Sequence, residues 1–345
     1  MISLPALLVL VPFQVPQTPK QTPVPWIVSH QEADGRWDAD NFKIHDPVRN
    51  RGATLGLSEA DVAVTSLATM SFLGDGNTST QGPYSKSVAR AVRWLADQQD
   101  AETGWIGVRG HARSLRHHAL ATAALCESHH FAPEPALRAT CLRAVRVLSS
   151  QVLEDGGWNA DGTADTTADG LTTGWVSLAL RSASEAGVEV RDGLLEGAVA
   201  WFENRMDEKT GMVSSQDGST PDWKATAMGV ICRLTTQTAK EYPSLVAAGD
   251  RLSRLRPAWR SDGVGMDPEL WYLASVANYQ LGGRQWKRWN KTMKGLLLSG
   301  KRVAPSAGPA PVDSSLLPEG SVAGAAYMIL AVEVYFRYAR IIGVR

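Results

Sequence analysis

Three stretches of this chain close on one phrase: Trp26-Ile-Val-Ser-His-Gln-Glu-Ala-Asp-Gly-Arg-Trp37, Trp94-Leu-Ala-Asp-Gln-Gln-Asp-Ala-Glu-Thr-Gly-Trp105 and Val147-Leu-Ser-Ser-Gln-Val-Leu-Glu-Asp-Gly-Gly-Trp158. Each runs from an aromatic or aliphatic residue through Gln and an acidic turn to Gly and Trp. A fourth copy, Trp201 to Val213, keeps Trp201 and Gly211 but has neither the Gln nor the closing Trp. A phrase that returns after tens of residues marks stacked supersecondary units, none of which can bury its apolar face alone.

Two kinds of segment alternate around the phrase. Amphipathic runs come first: Ser87 to Gln99, Ala136 to Gln151, Leu194 to Arg205, Tyr242 to Leu255 and Gln285 to Leu298. In the first of these, Ala89, Val92, Leu95 and Ala96 fall at helical spacing with Arg90, Arg93 and Asp97 elsewhere on the wheel. The first repeat offers only Pro25 to Gln31 in this role, so its outer helix is short. Runs of small and apolar residues follow: Val62 to Leu73, Ala119 to Glu127, Leu171 to Ala183, Trp223 to Leu234, Leu270 to Leu281 and Ser321 to Val334. Helices apolar on every side are buried on every side. Loops carry Gly, Asp and Pro, and no period-2 strand run stands out.

The sequence therefore predicts an all-α fold, an (α/α)6 toroid of six outer–inner helix pairs in two concentric layers. An open solenoid is the alternative, but it would leave the far face of the inner helices wet. Aligning the starts of the buried helices puts Asp61, His118, Asp169, Asp222, Glu269 and Gly320 in one column. Four residues on come Thr65, Thr122, Thr173, Thr226, Leu273 and Gly324.

Composition narrows the function. Lys plus Arg equal Asp plus Glu at 35 each, and no basic block stands out, so no nucleic-acid partner is expected. The three Cys (Cys126, Cys141, Cys232) are odd in number and unclustered, as buried free thiols would be. Residues 1–25 read as an apolar start followed by a linker with Pro12, Pro16, Pro19, Pro23 and Pro25, and residues 26–345 as the toroid. The start is too short to span a bilayer. It has the apolar core of an export signal without a basic leader or small-residue cleavage site. Export or membrane proximity stays open, and compartment and protein partners are undetermined.

The phrase resembles the QW motif of terpenoid cyclases and the related prenyltransferase/squalene oxidase repeats. Gln31, Gly35 and Trp37 match it, as do Gln99, Gly104 and Trp105, and Gln151, Gly157 and Trp158. Trp271-Tyr272, Tyr279-Gln-Leu-Gly-Gly283 and Trp286-Lys-Arg-Trp289-Asn290 add to the impression. The resemblance runs over roughly residues 26–340 and implies an α/α toroid. It implies an apolar or isoprenoid ligand in a central cavity, with cyclisation or prenyl transfer as the reaction class. The physical sense of the phrase is structural: Gln reaches orphan backbone groups at helix ends, Gly turns tightly, and Trp covers the junction.

The family's catalytic signatures are missing. Asp161, Asp165 and Asp169 stand four apart and not in a D-x-D-D cluster; no Asp-x-Cys zinc pair and no Asp-Asp-x-x-Asp occur. No H-E-x-x-H, P-loop or G-x-S-x-G pattern is present either, so no metal or cofactor is expected. Candidates for chemistry are the rim column, Asp61, His118, Asp169, Asp222 and Glu269, set against helix capping as the plainer role for each Asp. Candidates for lining a cavity are Trp175, Trp223, Trp271, Tyr272 and Tyr327, where aromatic faces would stabilise a cation. Two readings compete with a ligand-binding toroid: a non-catalytic scaffold for a protein or glycan, and a carbohydrate-active (α/α)6 enzyme using two rim carboxylates.

Overall fold

The computed structural model describes residues 24–46, 53–163, 167–215, 219–235, 243–260, 262–298 and 311–334. Six outer helices, α1 (Val24–Ser29), α3 (Ser85–Asp97), α5 (Pro135–Ser150), α7 (Leu194–Asn204), α9 (Pro243–Leu252) and α11 (Gly283–Leu298), alternate with six inner ones. The inner helices are α2 (Asp61–Gly74), α4 (Ser114–Phe131), α6 (Gly170–Glu185), α8 (Trp223–Thr235), α10 (Pro268–Leu281) and α12 (Gly320–Glu333). The only strands among the described residues are β1 (Val213–Ser214) and β2 (Pro221–Asp222), an antiparallel ribbon.

Each inner helix packs on the next, and α12 packs back on α2, so the ring closes; α1 covers the seam against α12. This is the (α/α)6 toroid expected from the sequence, with α1 as short as foreseen. The inner helices bury residues all round, whereas α3 buries only Ser87, Val88, Ala91, Val92 and Leu95. Small residues set the inner spacing. A Cβ added at Gly170 would lie 2.6 Å from the Ala225 Cβ, and one at Gly174 would lie 2.5 Å from Met228, so α6 and α8 meet only because both are Gly. Buried hydroxyls are satisfied inside their own helices: Thr69 Oγ1 donates to the Thr65 carbonyl, Ser128 to Ala124 and Ser177 to Thr173.

The recurring phrase ties three helices at once. Trp37 donates its indole N–H to the carbonyl of Ile27 on its own outer helix and its backbone N–H to Thr65 on α2. Trp158 repeats both bonds with Leu148 and Thr173. The Gln reaches sideways instead: Gln31 donates to the Ser87 carbonyl on α3, and Gln99 to that of Thr140 on α5, at 2.9 and 3.0 Å. The turn Gly presses on the same neighbour. At Gly35 (φ +107°) an added Cβ would stand 2.6 Å from the Arg90 carbonyl oxygen, and at Gly104 (φ +77°) 3.0 Å from that of Arg143. Gln thus links consecutive outer helices rather than outer to inner.

The second copy is offset by one residue. Ile106, not Trp105, occupies the place of Trp37 and Trp158: it bridges to Gln99 and sends its backbone N–H to α4. Trp105 lies buried on the other face, stacked on His118 with ring centroids 5.1 Å apart and with Arg109 over its ring. The spacing carried the signal: the positive-φ glycines Gly35 and Gly156 stand two residues before Trp37 and Trp158, and two residues after Gly104 comes Ile106, not Trp105.

Candidate functional site

All six inner helices begin on one rim, where their partial positive ends collect and acids are favoured. The column read from the sequence splits here. Asp169 caps α6 through the Thr172 N–H, and Asp222 takes the Ala225 N–H of α8. Asp61 is the first residue of α2 rather than its cap; it accepts the Ala39 N–H at 2.8 Å and faces Arg36 at 3.3 Å. Burial pushes its carboxyl up to about 6.

His118 does not stand at the rim. It is fully buried one turn inside α4, its Nδ1 accepting the Ile106 N–H and its Nε2 facing the Ala144 carbonyl. Burial holds it down at about 4, so it is a neutral core histidine in the place that Thr65 and Thr173 take in their repeats. Ser114 begins α4 in the position that the column assigned to His118.

Glu269 is likewise not a cap. Asp267 caps α10 through the Leu270 N–H, followed by Pro268 in the first turn. Glu269 points inward and is 4 % exposed. Its Oε1 accepts from the Trp175 indole at 3.1 Å and from the Tyr327 hydroxyl at 2.9 Å. Its Oε2 accepts from the Lys224 ammonium at 2.7 Å. One carboxylate therefore joins α6, α8, α10 and α12. Lys224 spends its other donors on Asp267, at 3.2 Å, and on the Leu316 carbonyl. Burial disfavours that ammonium, yet Glu269 and Asp267 raise its pKa above the usual lysine range. Asp267 is pushed up to about 6 by burial, against the pull of Lys224. Burial, reinforced by Glu269, drives the Tyr327 hydroxyl well above its ordinary range.

Beside this network lies an open pocket of about 810 Å³. Its lining mixes charged groups, Arg116, Asp169, Asp222, Lys224, Arg256, Arg260 and Asp267, with apolar ones, Leu171, Trp223, Leu255, Leu270, Trp271 and Leu316. Arg116 reaches Thr172 at 3.2 Å and Asp169 at 3.7 Å, while Asp169 Oδ2 is buried without a hydrogen-bond partner.

The aromatic candidates divide into two groups. Trp223, 37 % exposed, and Trp271 line the pocket, and Trp271 meets Trp259 edge-on at 5.5 Å. Trp175, Tyr272 and Tyr327 are buried and pack on one another at 5.8–6.3 Å between ring centroids, filling the inside of the ring. Sequence reasoning passed over Lys224 and Asp267. The Asp-Pro step at 267–268 was the available sign that α10 is capped there.

No family model matches the sequence, and no curated protein matches it. Solved structures do. The α-1,6-mannanase GH76A of Salegentibacter sp. HEL1_6 superposes with a TM-score of 0.61 at 9 % identity, covering 90 % of this chain and 96 % of that one. An α-amylase from Clostridium perfringens gives 0.62 at 10 % identity, covering 93 % and 100 %. The type II terpene cyclase MstE from Scytonema gives 0.59 at 13 % identity, covering 90 % and 95 %. The likeness is one of fold. The same toroid is found in a terpene cyclase and in the mannanase and amylase.

Proposed function

We propose that the chain binds an amphipathic, isoprenoid-sized ligand in the rim pocket rather than on the axis of the ring. The observation that carries this is the pairing of apolar and charged side chains in the lining of one pocket. Four leucines, two indoles, Val264 and Pro257 line one volume with Arg116, Lys224, Arg256, Arg260 and three carboxylates. A hydroxyl-rich ligand would leave the leucines unmatched, whereas a hydrocarbon chain with a polar end matches both parts. The axis is less suited, because Trp175, Tyr272 and Tyr327 already pack there. MstE, in one of its structures, holds geranylgeranyl dihydroxybenzoate, a ligand of this kind.

A second reading, carboxylate-based glycoside chemistry, draws on Asp267, half protonated near pH 6, and on the unpartnered oxygen of Asp169. Inactive variants of the mannanase replace two aspartates at once, consecutive in its chain; this sequence contains no Asp-Asp pair.

The test is indole fluorescence titration with geranylgeraniol and geranylgeranyl diphosphate beside α-1,6-mannotetraose. Saturable binding of a prenyl ligand, weakened about fivefold or more in Trp223→Ala, supports the reading, since a half-exposed indole costs little stability but anchors a ligand. Binding of the oligosaccharide alone would transfer the site to the glycoside reading, and binding of neither would overturn both.

A further inference from the structure

The rim also holds a group of side chains that capping and packing leave unexplained. His117, in the first turn of α4, is 2 % exposed, yet neither ring nitrogen has a hydrogen-bond partner. Leaving such a polar group unmatched costs about 1–3 kcal/mol. Its Nε2 faces Glu319 Oε1 across 3.5 Å. A charge-assisted N–H···O bond is shorter, about 2.7–2.9 Å. The gap instead matches the roughly 3.4 Å between two ligand atoms on one tetrahedral ion of zinc type.

A second imidazole stands beside the first. The His111 ring lies 4.9 Å from that of His117, centroid to centroid, and its Nε2 is buried without a partner. Its Nδ1 accepts the Arg113 backbone N–H at 3.3 Å. His111 follows Gly110 on the loop before α4, and a Cβ added at that glycine would meet nothing within 4 Å. The Arg113 guanidinium, 3.9 Å from the same Glu319 oxygen and 30 % exposed, can turn outward.

We propose that His111, His117 and Glu319 form a binding site for a divalent transition-metal ion of the zinc class, through one nitrogen of each imidazole and one carboxylate oxygen. His117 and Glu319 stand at coordinating separation, whereas His111 lies outside 4.8 Å of that pair and must turn toward it to complete the set. Two imidazoles and a carboxylate suit zinc or ferrous iron, and leave a position for water or a ligand. Arg116 of the pocket lining directly precedes His117, so the site borders the pocket but does not depend on what the pocket binds.

Asp38, Asp40 and Asp61 offer a competing destination, since their oxygens gather within 4.8 Å of one another. Arg36 already spans them, pairing with Asp38 and Asp61, and they serve as the control. The experiment uses full-length protein stripped with a chelator and titrated with Zn2+ by calorimetry and with Co2+ by visible absorption. The expected result is one saturable site with the visible bands of low-coordinate Co2+, weakened at least about tenfold in His111→Ala and in Glu319→Gln and unchanged in Asp38→Asn. His111 sits on a loop, so its variant tests the site even if replacing buried His117 unfolds the chain. Absence of saturable binding, or binding that survives His111→Ala and fails in Asp38→Asn, would overturn the assignment.

Discussion

In the first half of the ring, Gln31 and Gln99 each clamp their own turn to the next outer helix, and Arg90 and Arg143 return a bond to each Gln side chain. In the second half Met206 stands where that Gln would be, Val213 replaces Trp, and β1 joins β2 instead. The inside changes in the opposite sense. Near α2 and α4 the core is apolar with hydroxyls bonded back to their own helices, whereas α6, α8, α10 and α12 converge on Glu269 and Lys224. Bracing has moved from the outer layer to the inner one, and the pocket opens beside the braced interior. A buried charge network is a poor source of stability by itself but fixes geometry, which a binding site needs and a plain scaffold does not.

That contrast can be broken at its strongest points first. Trp37→Ala removes a fully buried indole from the clamped half and should lower stability by about 3–5 kcal/mol. Glu269→Ala takes from Lys224 one of its two carboxylates and strands the buried donors of Trp175 and Tyr327, and should cost a similar amount. Urea denaturation measures both. Ligand affinity separates them: it should persist in folded Trp37→Ala and fall in Glu269→Ala, and equal loss in both would erase the distinction between the halves.

A smaller effect tests the Gln clamp. Gln99→Ala loses bonds to Gly104, Thr140 and Arg143, so a loss of about 1–2 kcal/mol is expected. Gln151 holds the equivalent place but among the described residues reaches only Ser150, at 3.5 Å, while Asp155 takes over by accepting from Trp201 and Arg205. Gln151→Ala should therefore change stability by less than about 0.5 kcal/mol. Equal losses at both positions would show that the Gln acts within its own turn and not between helices.

The last effect is set by pH and concerns Asp61. Its carboxyl rises from 3.8 to about 6 on folding, so the folded chain binds the proton more tightly. Stability on this account is greatest below pH 4, falls as pH rises through that window, and reaches its full deficit above pH 6. Asp61→Asn keeps an acceptor for the Ala39 N–H and should melt slightly higher than the parent at pH 7, with the gain disappearing by pH 4. Melting curves across that range decide it, and a gain independent of pH would refute the account.

The layers and pairing of the toroid were legible because apolar periodicity and the repeated phrase both report backbone geometry, which every repeat shares. Individual site residues were less legible. His118 shares a buried position with threonines because an imidazole nitrogen and a hydroxyl oxygen can accept the same backbone N–H, so alignment on charge put it one turn too early. Glu269 sat in an acidic column, but a carboxylate two residues beyond its cap turns inward rather than along the rim. Direction of that kind belongs to the fold and not to the order of residues.

The seam of the ring has a consequence for how the chain is made. Thr54 and Ser321 exchange backbone and side-chain bonds, Leu57 bonds to Pro318, and Gly56 and Gly320 meet so closely that neither tolerates a side chain. These contacts join residues more than 250 positions apart. During synthesis the first inner helix therefore waits, one flank bare, until the last has left the ribosome. Closure of so distant a pair is slow. A chaperone that shields that flank, or a rearranged gene that starts the chain elsewhere on the ring, would act on this step before any other.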